Sequence, residues 1–296
     1  MNNHYFTIVA LTGGNVEITL PANITTELVG GVSYSVNGED WIDIVNTNSA
    51  VTETISGISK GDRIYLKGEG TSFAASSATS SNVDNDCVRI KPSFNFNLEG
   101  NIMSLLFGSN FQDKFTLSAD YTFALFFYNN KNLISVKDLV LPAKALTERC
   151  YYMMFSDCSN LEEGVKQLPA RIVPKEAYRK MFASTKVKHG VKIDCDIVEY
   201  RGCYSMYYNS LLETMPTIRV GTAKENALMY IVGATKLKES PKVFINLVEG
   251  KWGGGYLFHS CAELEVANDI TIGEIRGEEG CMKKVVQECF KVVINW

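Results

Sequence analysis

Apolar and polar positions alternate in short stretches along the first hundred residues. Residues 15–20 (NVEITL) and 94–98 (FNFNL) carry an apolar side chain at every second position. This period of two predicts β-strands with one buried face. Between two further apolar stretches, Asn37 and Gly38 supply the positive φ angles that a tight hairpin turn needs. The pattern predicts a small antiparallel β-sandwich in this part of the chain.

A serine-rich stretch interrupts the strand pattern at residues 70–86. It carries serines at five positions and few large apolar side chains. We therefore expect a mobile, solvated loop within the β module. The alternative is a contact loop that becomes ordered when a partner binds.

A different pattern governs the chain beyond residue 120. Six stretches share the order apolar, aromatic or large, two polar or small, small, one or two variable, Leu or Val: 126–133, 154–161, 181–187, 206–212, 231–237 and 257–264. With a degraded copy at 285–292, the equivalent second positions are separated by steps of 28, 27, 25, 25, 26 and 28 residues. A nearly fixed period in this range is typical of a solenoid.

Each copy predicts a short helix before its second position and a strand after its Leu. Residues 145–153 and 175–180 have helical character, whereas 216–220 and 241–245 are extended. One helix and one strand cannot bury their apolar faces alone, so neighbouring copies must stack into a parallel ladder backed by helical turns. We expect the repeat core to consist of Phe127, Leu133, Phe155, Cys158, Leu161, Phe182, Tyr207, Leu212, Leu237, Phe258, Cys261 and Leu264.

The charge distribution divides the chain near residue 100. Residues 1–100 hold five Lys and Arg against eleven Asp and Glu, a net charge of −6, and residues 101–296 hold 24 against 22, a net charge of +2. The two parts sum to the −4 of the whole chain. We predict a mixed β and α/β protein with two domains: an N-terminal antiparallel β-sandwich module over 1–100, and a leucine-rich-repeat solenoid of about seven repeats near 26 residues over 101–296.

One repeat carries a specific resemblance. Met-Phe-x-x-Cys-x-x-Leu at 154–161, followed by Leu-Pro-Ala at 168–170, resembles the BspA-type leucine-rich repeat. That family occurs in bacterial surface proteins and in virion proteins of tailed phages that infect gut Bacteroides-like hosts. The stretches at 34–41 and 60–68 resemble the β module that often precedes such repeats. The resemblance implies a fold, whereas the repeat motif encodes packing rather than a ligand site.

Charge and hydropathy limit where the protein acts and what it binds. The first residues lack a basic segment followed by an apolar run, and no stretch of 18 apolar residues occurs. We expect neither a secretory signal nor membrane insertion, which favours the phage branch of the resemblance, whose parts assemble in the host cytoplasm. A net charge of −4 lacks the positive field that nucleic-acid binding requires.

The residues that could carry chemistry follow the repeat. Cys158, Cys261 and Cys289 share one repeat position with Thr and Ser in other copies, and such exchange is typical of a tight packing slot. Residues 259–261 (His-Ser-Cys) would suggest a nucleophile, but all three fall inside the repeat framework. The histidines are scattered and Cys-x-x-Cys is absent from the sequence. We therefore predict no catalytic residue, no metal site and no cofactor.

Aromatic and apolar residues outside the repeat core are candidate contacts for a partner. These candidates are Tyr151, Tyr208, Trp252, Val293, Ile294 and Trp296. Tyr and Trp are favoured at protein interfaces. The glycines at 253–255 predict that the segment around Trp252 loops out of its repeat. Residues 292–296 predict an apolar edge that another subunit or a virion protein covers.

These observations favour a non-enzymatic structural protein of a phage virion. We expect it to be associated with the tail or an appendage and to serve assembly, host-surface recognition or both. The expected partners are other virion proteins or copies of itself, together with a host-surface glycan or protein. The alternative is a bacterial cell-surface adhesin or binding protein of the leucine-rich-repeat family, and a glycan depolymerase ranks below both.

Overall fold

The chain folds mostly into β-strands. The computed structural model describes residues 4–24, 28, 30–45 and 49–276, together with the backbone of 293–294. The strands are β1 (Phe6–Ala10), β2 (Gly14–Leu20), β3 (Val32–Ser35), β4 (Ile42–Ile44), β5 (Val51–Ile58), β6 (Arg63–Gly68), β7 (Arg89–Pro92), β8 (Phe96–Asn101), β9 (Leu133–Val140), β10 (Ile172–Val173), β11 (Ile193–Val198), β12 (Thr217–Ala223), β13 (Lys242–Glu249), β14 (Val266–Ala267), β15 (Ile270–Arg276) and β16 (Val293–Ile294). Among the described residues, α-helix is confined to α1 (Val83–Asp86) and α2 (Ser104–Phe107).

The N-terminal strands form two sheets. The first has the order β4-β3-β6-β1-β8-β9, and the second has the order β5-β2-β7. All pairs are antiparallel except β8 with β9. The predicted alternation is visible in β2, where Val16, Ile18 and Leu20 are fully buried. Both sheets contribute side chains to the same hydrophobic core as the solenoid, so the core runs without interruption from Phe6 to Leu264.

The six-stranded sheet continues across residue 100. β8 pairs in parallel with β9, the first strand of the repeat region, with Phe96 opposite Leu133. Gly100 in β8 has a φ of +80°, and a Cβ at this position would lie 2.0 Å from the Tyr5 carbonyl oxygen. Only glycine permits this close approach. The N-terminal module thereby covers the first coil of the solenoid through backbone pairing.

The expectation of a mobile loop over residues 70–86 is wrong. Phe73 is 1% exposed, and its ring lies 5.2 Å from the ring of Phe126. Asp86 is also buried and accepts hydrogen bonds from Asn23 and Ser77. One Phe and three buried alanines provide the apolar contacts, so this serine-rich segment packs on the first coil of the solenoid. Serine content hid that small apolar surface in the sequence.

The second half of the chain is a β-solenoid of about four turns. β10, β11, β12, β13 and β15 form a parallel sheet in this order. One row across this sheet joins Ile193, Ile218, Val243 and Ile270. All twelve residues of the expected repeat core are at most 1% exposed. Stacked strands therefore bury one continuous apolar face, which is how a solenoid gains stability.

The expectation of short helices on the other side of each coil is wrong. Six segments of the described chain replace them, which we call the turn segments: 121–129, 149–157, 176–184, 201–209, 226–234 and 252–260. In each turn segment the first, fifth and ninth residues have φ between 50° and 61°. L-residues rarely adopt this left-handed conformation, which costs about 1–2 kcal/mol per residue. The eighteen residues are Tyr121, Leu125, Asn129, Arg149, Met153, Asp157, Glu176, Lys180, Ser184, Arg201, Ser205, Asn209, Asn226, Tyr230, Ala234, Trp252, Tyr256 and Ser260.

Hydrogen bonds between coils offset this conformational cost. In the segment 149–157, the N–H groups at 149, 151, 153, 155 and 157 donate to carbonyl groups of the next coil, at distances of 2.9–3.1 Å. The N–H groups of Tyr152, Met154 and Ser156 donate to the carbonyl three residues back. An α-helix would direct all of these donors within one coil. The turn segments thus form a second ladder, opposite the parallel sheet.

Two rows of aromatic rings fill the space between the ladders. Phe127, Phe155, Phe182 and Tyr207 stack across four coils with centroids 5.3–6.2 Å apart. A parallel row joins Phe123, Tyr151 and Tyr178 at 6.0–6.1 Å. Offset aromatic pairs stabilise by about 0.5–1.5 kcal/mol beyond the area that they bury. Each ring fixes the register of its neighbour on the next coil.

The left-handed positions predict a contrast between two alanine-to-glycine substitutions. Ala234 has φ of +54°, so Ala234→Gly should leave the free energy of unfolding unchanged or raise it by up to about 1 kcal/mol. Ala183 is the eighth residue of its turn segment, one position before the left-handed ninth, and its φ is negative. Ala183→Gly should therefore lower the free energy of unfolding by about 1 kcal/mol. Urea denaturation of both variants measures the difference. Equal losses would contradict the left-handed assignment.

Candidate binding surface

The turn segments direct some side chains into the core and others toward solvent. In the segment 201–209, Cys203 and Tyr207 are buried, whereas Tyr204 is half-buried and Tyr208 is 37% exposed. Since the inter-coil ladder keeps successive coils in register, outward side chains of neighbouring coils come to lie side by side. The outer surface of the solenoid is therefore organised in rows.

Six rings form a continuous cluster on the outside of the last three turn segments. We call it the aromatic face; it consists of Tyr204, Tyr208, Tyr230, Trp252, Tyr256 and His259. Tyr230 lies at its centre, with ring centroids 5.9 Å from Tyr204, 6.1 Å from Tyr208 and 5.4 Å from Tyr256. The imidazole of His259 is 5.1 Å from Tyr230, and Trp252 is 6.2 Å from Tyr256. All six side chains retain contact with solvent.

Cations border the aromatic face at two places. The Lys251 ammonium lies 4.4 Å from the centroid of Trp252. The Arg201 guanidinium lies 5.4 Å from the centroid of Tyr204. Such cation–π contacts stabilise exposed rings by about 0.5–1 kcal/mol. They hold the outermost rings of the face in place.

The buried carboxylate of Glu176 anchors Arg179 beside the aromatic face. Glu176 is 2% exposed and accepts hydrogen bonds from Arg149 and Arg179. The Arg179 guanidinium in turn lies 5.5 Å from the rings of both Tyr152 and Tyr204. Burial raises the pKa of Glu176, but the hydrogen bond from Arg149 and the charge of Arg179 outweigh it, so the pKa lies below its ordinary 4.5. The carboxylate stays ionised and fixes Arg179 between two tyrosines.

The side chains of His259, Ser260 and Cys261 lie in two different environments. His259 Nδ1 and Ser260 Oγ are 2.9 Å apart on the aromatic face. Cys261 is fully buried, and its thiol donates to the Val232 carbonyl oxygen at 3.1 Å. The thiol therefore contributes to contact between coils. In the same repeat position, the hydroxyl groups of Thr185 and Ser210 donate to a carbonyl oxygen of their own coil.

The described cysteines are buried, and no disulfide joins any two of them. Burial raises the pKa of Cys87, Cys150, Cys158 and Cys195 to about 12, and that of Cys203 well above its ordinary value. Since the thiolate is the reactive form, these side chains act as small apolar groups at neutral pH. Cys281 and Cys289 lie outside the described residues.

The structure separates the candidate interface residues into three groups. Tyr208 and Trp252 belong to the aromatic face. Tyr151 does not: it is 1% exposed because it stacks between Phe123 and Tyr178 in the core. The next residue, Tyr152, is half-buried, and its ring lies 5.5 Å from the Arg179 guanidinium. The sequence did not single out Tyr230 and Tyr256, although both occupy the fifth position of their turn segments.

Trp252 does not lie on a loop that leaves its repeat. Residues 252–260 form a regular turn segment, and Gly253 is buried inside it. A Cβ on Gly253 would lie 2.7 Å from the Lys224 carbonyl oxygen. The equivalent positions hold Ala177, Gly202 and Ala227, which are likewise buried. These glycines therefore permit close packing of coils, and the loop predicted from them is wrong.

The C-terminal candidates lie at the limit of the described chain. β16 pairs in parallel with β14, with Val293 opposite Val266 and Ile294 opposite Ala267. This backbone pairing continues the stacking of coils. Trp296 lies outside the described residues.

Across the described ranges, no three His, Cys, Asp or Glu side chains come together in a way that could hold a metal ion. No helix within these ranges is long and apolar enough to cross a membrane. Comparison with known proteins gives no match to a family model, to a curated protein or to a solved structure.

The buried Glu176 predicts a specific sensitivity to acid. Because its folded-state pKa is lowered, its contribution to stability is present above the ordinary pKa of 4.5 and is lost as the pH falls below that value. Glu176→Gln should lower the free energy of unfolding at pH 7 by about 3 kcal/mol and reduce its dependence on pH below 4.5. Urea denaturation between pH 3 and 7 measures both effects.

Glu148→Gln serves as the control for this prediction. Glu148 also contacts Arg149, but its side chain is 32% exposed, and pairs of this kind contribute at most about 1 kcal/mol. A loss as small for Glu176→Gln as for Glu148→Gln would show that the buried pair does not stabilise the solenoid.

Proposed function

We propose that this chain is a non-enzymatic structural protein of a virion, associated with the tail or an appendage, which binds its partner through the aromatic face. The partner is another virion protein or a second copy of the chain during assembly, or a molecule of the host surface. The observation that carries the proposal is the cluster of six rings on the outer surface of the solenoid. Partly exposed Tyr and Trp provide large, rigid contact area at low entropic cost.

The fold supports a role in recognition in two ways. A solenoid presents an extended surface whose rows are held in register by many backbone hydrogen bonds. The rings on that surface therefore lose little freedom when a partner binds, which reduces the cost of association. The described thiols, by contrast, are buried, so they offer no accessible nucleophile.

The proposal also takes the solenoid to be a leucine-rich repeat of the BspA type. Support comes from the motif at 154–161 and from the six turn segments. It also comes from the burial of the second position in each of the six repeat stretches. A seventh copy at 285–292 falls outside the described residues. The virion assignment rests on the resemblance of the repeat and of the preceding β module.

A complementation experiment tests the proposal. Particles that lack this gene product should recover infectivity with the wild-type chain, and immunogold labelling should place the chain on the tail or an appendage. The double variant Tyr208→Ala, Trp252→Ala should reduce incorporation or host binding at least thirtyfold, equivalent to about 2 kcal/mol. Its melting temperature should fall by only a few degrees, because both side chains are partly exposed.

Tyr65→Ala is the matched control, since Tyr65 is a half-buried tyrosine in β6, away from the aromatic face. It should support normal incorporation. If the chain is absent from purified particles and is found in the bacterial cell envelope, the virion proposal is wrong and the adhesin alternative takes its place. Full activity of the double variant would exclude the aromatic face as the contact surface.

A further inference from the structure

A second surface of the solenoid lies between two coils, beside the parallel sheet. It is a groove of about 1060 Å³, bounded by residues 213–217 of one coil and by 236 and 238–242 of the next, with Glu263 and Asn268 of the following coil at its border. Pro216 and Pro241 occur directly before β12 and β13, one on each wall. Neither has an N–H to pair with the opposite coil. The groove is therefore an interruption in the hydrogen bonding between coils.

Neighbouring coils fill the same position with backbone. At one junction, the N–H groups of Glu213 and Thr214 both donate to the carbonyl oxygen of Lys188, at 2.8 and 3.1 Å. At another, the N–H groups of Glu265 and Val266 donate to the Lys238 carbonyl oxygen at the same two distances. Two adjacent donors thus converge on one oxygen of the preceding coil. We call this arrangement the N–H fork.

The N–H fork inside the groove is empty. By their position after Leu237, Lys238 and Glu239 are equivalent to the residues of the two filled forks. Neither of their N–H groups has an acceptor among the described residues, and the carbonyl of Glu213, which should fill the fork, accepts no hydrogen bond there. Two donors and one acceptor therefore face the groove, although the two filled junctions show that this geometry suits an extended polypeptide.

The charges around the groove are largely paired. Lys236 contacts Glu263, and Lys242 contacts Asp269. Lys238 and Glu239 form no ion pair with other described residues, and both are exposed. The groove therefore offers one cation and one anion beside the fork. The walls of the groove suit a peptide whose side chains carry charges of both signs better than an apolar ligand.

We propose that this groove binds an extended segment of a partner polypeptide, with one of its carbonyl oxygens in the fork of Lys238 and Glu239. The segment would add a backbone between two coils, as in β-strand addition. The interrupted ladder already contributes the donors and the acceptor, and Lys238 and Glu239 select a peptide with charges of both signs. This site is separate from the aromatic face, so the two proposals can fail independently.

A synthetic peptide that copies residues 237–243, acetylated and amidated at its ends, is the probe, because it carries lysines and a glutamate. In the chain itself this stretch carries the Lys238 carbonyl that fills a fork. Titration into the labelled full-length protein should give saturable shifts of the Lys238 and Glu239 amide resonances, and their hydrogen exchange should slow. The Glu213 and Thr214 amides, already bonded to Lys188, should keep their exchange rates.

Glu239→Pro removes one donor of the fork, and Glu239→Ala removes the side chain but keeps the donor. The proline variant should bind the peptide about tenfold more weakly than the alanine variant, as expected for one hydrogen bond. If the proline variant does not fold, the exchange rates in the wild-type protein decide. Equal affinities of the two folded variants, shifts confined to other regions, or no saturation at millimolar peptide would each overturn the proposal.

Discussion

The structure depends on backbone hydrogen bonds that leave each turn segment and end on the next coil. They require a left-handed residue at every fourth position, since only this conformation lets every second N–H point along the solenoid axis. The cost is about 1–2 kcal/mol for each such residue. Most junctions between turn segments have five such hydrogen bonds, and these bonds, together with the stacked rings, offset the conformational cost. The turn segments are therefore stable only as part of a stack.

The same constraint determines the surface. Because the ladder fixes the register of coils separated by about 25 residues, outward side chains repeat in rows without any helix to position them. Aromatic residues that occupy neighbouring rows, such as Tyr204, Tyr230 and Tyr256, come into contact and form the aromatic face. Beside Pro216 and Pro241, the row of hydrogen bonds between two coils is interrupted, and the groove lies there. The regular hydrogen bonding between coils therefore produces the aromatic face, and its local interruption produces the groove.

The period of the sequence predicted much of this arrangement. Spacings of 25 to 28 residues indicated stacked coils, and their buried positions could be read from residues such as Phe155 and Phe182, because identical environments select similar side chains. Tyr208 and Trp252 were singled out as partner contacts because Tyr and Trp are favoured at interfaces, although the loop expected around Trp252 was wrong. The conformation of the turn segments could not be read, since stretches such as 145–153 contain good helix formers and left-handed residues of ordinary type leave no local signal. Tyr151 was misplaced as a consequence, because a helix and a turn segment direct its side chain differently.

Scalar couplings across hydrogen bonds test the central claim most directly. In the perdeuterated, labelled protein, the amide nitrogens of Tyr151, Met153 and Phe155 should couple to the carbonyl carbons of Ala177, Arg179 and Met181. Each of these couplings joins residues 26 positions apart on two coils. Couplings from the same nitrogens to carbonyl carbons four residues back would show helices instead and would contradict the account.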